Sequence, residues 1–178
     1  MADWGPPPSP YQQDHFYRVF TPETDTVALD PLDSAKRYHE GIFVEINPQS
    51  HEGTQFHVTG KIIAASGMRY EEKENFIPGV SDGAHLHKVT QVGWISKADF
   101  HGRVSSILRA LPTPPKQQGL IFCEKDPVTG RYEIIWTKED GERYGPDEQR
   151  RPVFKCNEWT HQYAIPALRN AGVLRDVA

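Results

Sequence analysis

The sequence predicts an α+β domain in which helices pack on a small antiparallel sheet. Three observations predict it. Short runs rich in β-branched and aromatic residues recur between Gly, Pro and Asn turns. Three of them, near residues 41–47, 55–63 and 68–73, follow one another as an antiparallel meander would. Convincing helical character is confined to two segments, one after Ser96 and one after Cys156.

A chain of 178 residues is long enough for one domain with a real hydrophobic core. Apolar residues make up 37% and charged residues 25%, the balance of a polar globular protein with long loops. The net charge of −4 and the lack of any dense Lys/Arg stripe argue against nucleic acid as a partner. The start, Met1 to Pro8, lacks the order of a signal peptide, and no apolar run approaches the ~20 residues of a membrane span. The cytosol is the expected compartment, where Cys123 and Cys156 would be free thiols.

Residues 1–35 read as an extended or disordered arm, because Pro6, Pro7, Pro8, Pro10, Pro22 and Pro31 interrupt it. Within it, His15 to Phe20 could dock as an edge strand. The single α+β catalytic-type domain is expected over 36–178. Its first strand, Ile42 to Ile46, ends at Asn47-Pro48. The His57 strand follows, and Ala65-Ser66-Gly67 turns the chain into Met68 to Lys73; Val89 to Ile95 is a further strand. Ser96 can cap the first helix, with Phe100, Val104, Ile107, Leu108 and Leu111 at helical spacing and Pro112 ending it. Leu120 to Cys123 and Arg131 to Trp136 flank Asp126-Pro127-Val128-Thr129-Gly130 as a hairpin, and 138–152 reads as a solvated loop. The last helix opens at Cys156, should bend or restart at Pro166, and is closed by Gly172.

The chemistry centres on Cys156 and His57. A cysteine at a helix N-terminus sits among unpaired N–H groups and the positive end of the dipole, which favours the nucleophilic thiolate. A histidine on a neighbouring strand could take its proton and return it to a leaving group. The element Cys156-Asn157-x-Trp159-Thr160 resembles the one that opens the nucleophile helix of PPPDE-type isopeptidases, and more loosely the corresponding element of the lecithin retinol acyltransferase family. Phe56-His57-Val58-Thr59-Gly60 and Tyr70-Glu71 look similar to their histidine hairpin. The resemblance implies a circularly permuted papain-like fold, with Cys156 as nucleophile, His57 as general base and acid, and no cofactor or metal. Lys155 stands where those families usually carry asparagine, and could instead help to depress the thiol pKa by proximity. A third polar residue sometimes orients the imidazole in that fold, and pairing across the 65–66 turn offers Glu72. The implied reaction is hydrolysis or transfer of an amide, isopeptide, ester or thioester on a small-molecule or peptide substrate. The oligomeric state is left open.

Two rival readings come from other classes. Gly79 to His87 has the Gly-x5-His-x-His spacing of the first cupin metal motif, so His85 and His87 could serve a metal-dependent enzyme, with His51 completing the site. Alternatively, Cys156 is a small core residue and the chain is a non-catalytic interaction or accessory domain. His15, His39, His101 and His161 have no partner that spacing assigns, and Cys123 reads as a core residue.

Overall fold

The computed structural model describes residues 1–26 and 30–177, without the side chains of residues 122–124. Cys123 therefore lies outside the described side chains. Six strands form one antiparallel sheet: β1 (Phe16–Thr24), β2 (Ile42–Asn47), β3 (Glu52–Gly60), β4 (Met68–Phe76), β5 (Leu86–Ser96) and β8 (Leu174–Arg175). Their spatial order is β4-β3-β2-β1-β5-β8. A separate hairpin, β6 (Gln118–Lys125) with β7 (Tyr132–Trp136), matches the one read around Asp126 to Gly130.

Strand alternation sorts the side chains onto two faces. Val19, Ile42, Val44, Phe56, Val58 and Ile95 point to one, where Leu108 of α2 (Gly102–Arg109) and Trp159 and Leu168 of the C-terminal helices complete the main core. Phe20, Phe43, Phe76 and Val89 form a smaller cluster on the other face, capped by Trp4. The fold is thus α+β, most of it sheet.

Residues 1–24 are not the extended or disordered arm that the prolines of the 1–35 segment suggest. A short helix, α1 (Pro10–His15), capped by Ser9, leads into β1, which lies between β2 and β5 rather than at an edge. Alternation explains it: Tyr17 and Val19 serve the main core while Arg18 and Phe20 serve the second face. The segment before α1 is tied down as well. Arg18 forms a buried pair with Glu45 at 2.7 Å and donates to the carbonyls of Trp4 and Pro6, each at 3.0 Å.

Two helices differ from their sequence readings. β5 runs through Ser96, so α2 begins only at Gly102; Val104 and Leu108 still form its buried stripe. At the C-terminus the helical chain is continuous but changes pitch: α3 (Cys156–Glu158), a π-helical stretch (Trp159–Ala164), then α4 (Ile165–Asn170). Pro166 lacks the N–H an α-helix would use there, and the wider ring just before it accommodates the loss. Gly172, at φ +70, ends the run as expected.

Candidate active site

His57 lies inside β3, and its neighbours Phe56 and Val58 face the main core, so its own side chain points to the opposite face. The β3/β4 register places Glu71 directly across from it. Their side chains meet, with His57 Nε2 and Glu71 Oε2 2.9 Å apart. On its other side His57 Nδ1 is 2.6 Å from Nε2 of His39. His39 is held just ahead of β2, where its backbone exchanges two hydrogen bonds with Thr24 of β1.

Hydrogen-bond accounting sets the protons of this chain. Ionised Glu71 only accepts, so His57 Nε2 carries hydrogen; neutral His57 then accepts at Nδ1 from His39 Nε2–H. That leaves Nδ1 of His39 as a bare lone pair. Burial lowers the His39 pKa to about 4, helped by His57 and Lys73 and opposed by Glu71. Burial also lowers that of His57, although the Glu71 bond pulls the other way. Glu71 itself is lowered: burial would raise it, but the His57 bond and charge, Lys73 and Arg69 prevail.

The pair opens on a cleft of about 290 Å³, lined also by Gln55, Thr59, Lys73 and Phe76. Gln55 is 4% exposed and its Oε1 has no partner among the described residues. An orphan acceptor that deeply buried carries an uncompensated desolvation cost, which a ligand N–H would relieve.

Cys156 is 7% exposed and packs in the main core with Phe56 and Val58. The expected contact with His57 is therefore not made: the two side chains take opposite faces of the sheet, and both His57 nitrogens are engaged elsewhere. The thiol's side-chain partner is Asn157 Oδ1 at 3.8 Å. Burial pushes the thiol pKa up; the Glu40 and Asn157 N–H groups favour the thiolate, while the Glu40 and Glu158 carboxylates disfavour it. Lys155 does not turn to the sulfur, because its Nζ binds Asp30 at 2.7 Å and Asp33 at 3.2 Å.

The start of α3 nevertheless clasps the backbone around His39. Asn157 Nδ2 donates to the Tyr38 carbonyl at 2.9 Å, and the thiol faces the Glu40 N–H. His39 directs its own peptide groups to β1, so those of Glu40 turn toward β3. The β2/β3 ladder starts only at Ile42 and Phe56, which leaves the Glu40 N–H to the sulfur.

Glu72, expected beside His57, points to the other face. It accepts from Tyr70 Oη at 2.8 Å and from Ser105 Oγ, and pairs with His101 at 3.1 Å and Arg109 at 3.2 Å, tying α2 to β4. The cause is the connection. It runs through 61–67 with successive turns closed by Lys61 and Ala64, which shifts the register and brings Glu71 opposite His57.

His85 and His87 do share a locale, with ring centroids 4.7 Å apart, but His87 Nε2 binds Asp25 at 2.6 Å. His51 lies in the turn between β2 and β3, stacked on Trp4 and bound to Glu45. Among the described residues no group of three or more His, Cys, Asp or Glu is arranged to hold a metal ion. His161, half exposed, pairs with Glu40. Among the described residues no helix is long and apolar enough to cross a membrane.

Fold and site together define an antiparallel α+β protein carrying a part-buried His-His-Glu chain at a cleft. The chain belongs to a family of unknown function, DUF6540, whose model matches residues 28–175. No curated protein and no solved structure matches it.

Proposed function

We propose that this protein is a thiol-dependent hydrolase or acyltransferase of permuted papain-like arrangement, in which Cys156 is the nucleophile and His39 takes its proton. His57 and Glu71 are positioning residues that hold His39 in one tautomer and stabilise its imidazolium. The observation that carries this reading is the hydrogen-bonded chain His39, His57, Glu71, whose only bare nitrogen belongs to the residue between Tyr38 and Glu40, the two that the start of α3 clasps.

The reaction follows from those atoms. For this chemistry the start of α3 has to shift at its Tyr38 and Glu40 contacts so that the sulfur leaves the main-core face and reaches the cleft face, where it attacks an amide, isopeptide, ester or thioester carbonyl of a peptide or small molecule. Its proton passes to His39 Nδ1, which returns it to the leaving group. Water or an acceptor nucleophile then resolves the acyl-enzyme, with His39 as base. Gln55 Oε1 would accept from an N–H of the bound substrate.

A second reading rests on a specific observation: Cys156 is nearly covered, its pKa is raised, and it does not line the cleft. That favours a domain in which the histidine cleft binds a ligand and the thiol is structural. Iodoacetamide labelling at pH 7.5, mapped to the individual cysteines, separates the two. A hydrolase should label at Cys156 well above the rate of a covered thiol, and His39→Ala should slow it at least 10-fold with the fold intact. Labelling that is slow, or indifferent to His39, would remove the enzymatic reading.

A further inference from the structure

A second cleft, of about 310 Å³, lies between the β6/β7 hairpin, the segment 150–154 and the outer flank of the C-terminal helices. Cys156, His39 and His57 are absent from its lining. Its wall is aromatic. Phe154 stacks on Tyr163 with ring centroids 4.8 Å apart, and Trp136 stands opposite a guanidinium, Arg150 Cζ lying 4.1 Å from its ring centroid. The wall is also firmly built, because Gln117 holds the Phe154 backbone with two hydrogen bonds, of 2.6 and 2.8 Å.

Among the described residues the cations of this cleft are in no ion pair. A guanidinium lying over an indole has its flat face occupied and its N–H edge free, so its donors are already fixed in direction. Among the described residues no acceptor lies within hydrogen-bond or ion-pair distance of the Arg150 side chain, nor of that of Arg151, and Lys116 is bound only to the Ile63 carbonyl. Two carboxylates line the cleft as well. Glu158 is already paired with Arg37 at 2.6 Å, which leaves Glu139 to set against three positive side chains.

We infer that this cleft is a docking site for an acidic peptide segment, an apolar side chain entering between Trp136, Phe154 and Tyr163 while flanking carboxylates meet Arg150 and Arg151. The volume is near the lower limit for ligand pockets, suited to one aromatic or large aliphatic side chain. Planar, bidentate guanidinium groups match carboxylates. A nucleic acid fits less well, since the whole chain carries −4 and would repel a long polyanion outside this patch.

The test uses the full chain and a fluorescein-labelled peptide with a central phenylalanine and two glutamates on each side, read by anisotropy at 50 mM salt. Binding should saturate, weaken at least 10-fold in the double variant Arg150→Glu/Arg151→Glu, and weaken similarly when alanine replaces the phenylalanine. The lysine counterpart of the peptide should not bind. Arg150 and Arg151 are exposed, and the only side-chain contact the variant gives up among the described residues is the stack of Arg150 on Trp136, so it should keep the wild-type circular dichroism. Equal binding by the variant, equal binding by the lysine peptide, or tighter binding of a single-stranded oligonucleotide than of the acidic peptide would each overturn the inference. His39→Ala should leave peptide binding unchanged, which keeps this site separable from the proposed activity.

Discussion

Protonating His39 should unfold this protein more effectively than protonating an ordinary histidine. In the folded chain burial, then His57 and Lys73, lower its pKa from 6.5 to about 4. The unfolded chain takes the proton near 6.5, so between those values U binds a proton that N refuses, and stability falls as pH falls. Above about 6.5 the effect is absent. A gap of about 2.5 pH units at 1.36 kcal/mol each is worth roughly 3 kcal/mol once pH approaches 4, a sizeable part of the stability of a typical domain. Urea unfolding followed by circular dichroism at pH 7.5 and 4.5 should show it. The control is His39→Gln, whose amide can still donate to His57 Nδ1 but does not titrate. Wild type should lose roughly 2–3 kcal/mol more than the variant over that interval, since the carboxylates titrate in both. Parallel losses in the two proteins, or a His39 ring resonance titrating near 6.5 by NMR, would refute the assignment of His39 as the buried neutral end of the chain.

Two further outcomes follow from the contacts around the site. Lys155→Ala removes both ion pairs that hold residues 30–33 to the start of α3, and should lower stability by about 1–2 kcal/mol in urea unfolding while quickening iodoacetamide labelling of Cys156 several-fold. A labelling rate equal to wild type would show that this tie does not restrain the thiol. Gly41→Ala would place a Cβ 2.7 Å from His57 Cβ and 2.8 Å from the Phe56 carbonyl, so it should cost roughly 1–3 kcal/mol and displace His57 from His39, read as a rise in the His39 pKa by NMR.

The meander, the hairpin and the C-terminal helix were legible because each rests on local pattern: alternation, Gly and Pro turns, and apolar residues at helical spacing. β1 was hidden by its prolines, whose meaning depends on partners far along the chain. Pro22, for instance, sits within the β1/β5 ladder opposite Val89. The site was half legible. His57 and Cys156 were marked by their local settings, yet their side-chain directions depend on β3 packing Phe56 and Val58 against the helices. Glu71 replaced Glu72 because the 61–67 connection is longer than a tight turn, and a register change moves every side chain to a new neighbour. His39 carried no local signal, since its partner is chosen by how β2 lies against β3. Two histidines of matching parity on adjacent strands would have flagged it only once that pairing was known.

The family match begins at residue 28, yet β1 lies wholly before that point and stands at the middle of the sheet. A fragment cut to the matched span would split the sheet into a three-stranded and a two-stranded piece, each with a raw edge of unpaired peptide groups where Val19 and Phe20 had been. It would also strip His39 of the Thr24 backbone that anchors it. Expression of the family region alone is thus expected to give aggregated protein, and adding back residues 1–27 as a separate peptide offers a route to restoring it by strand complementation.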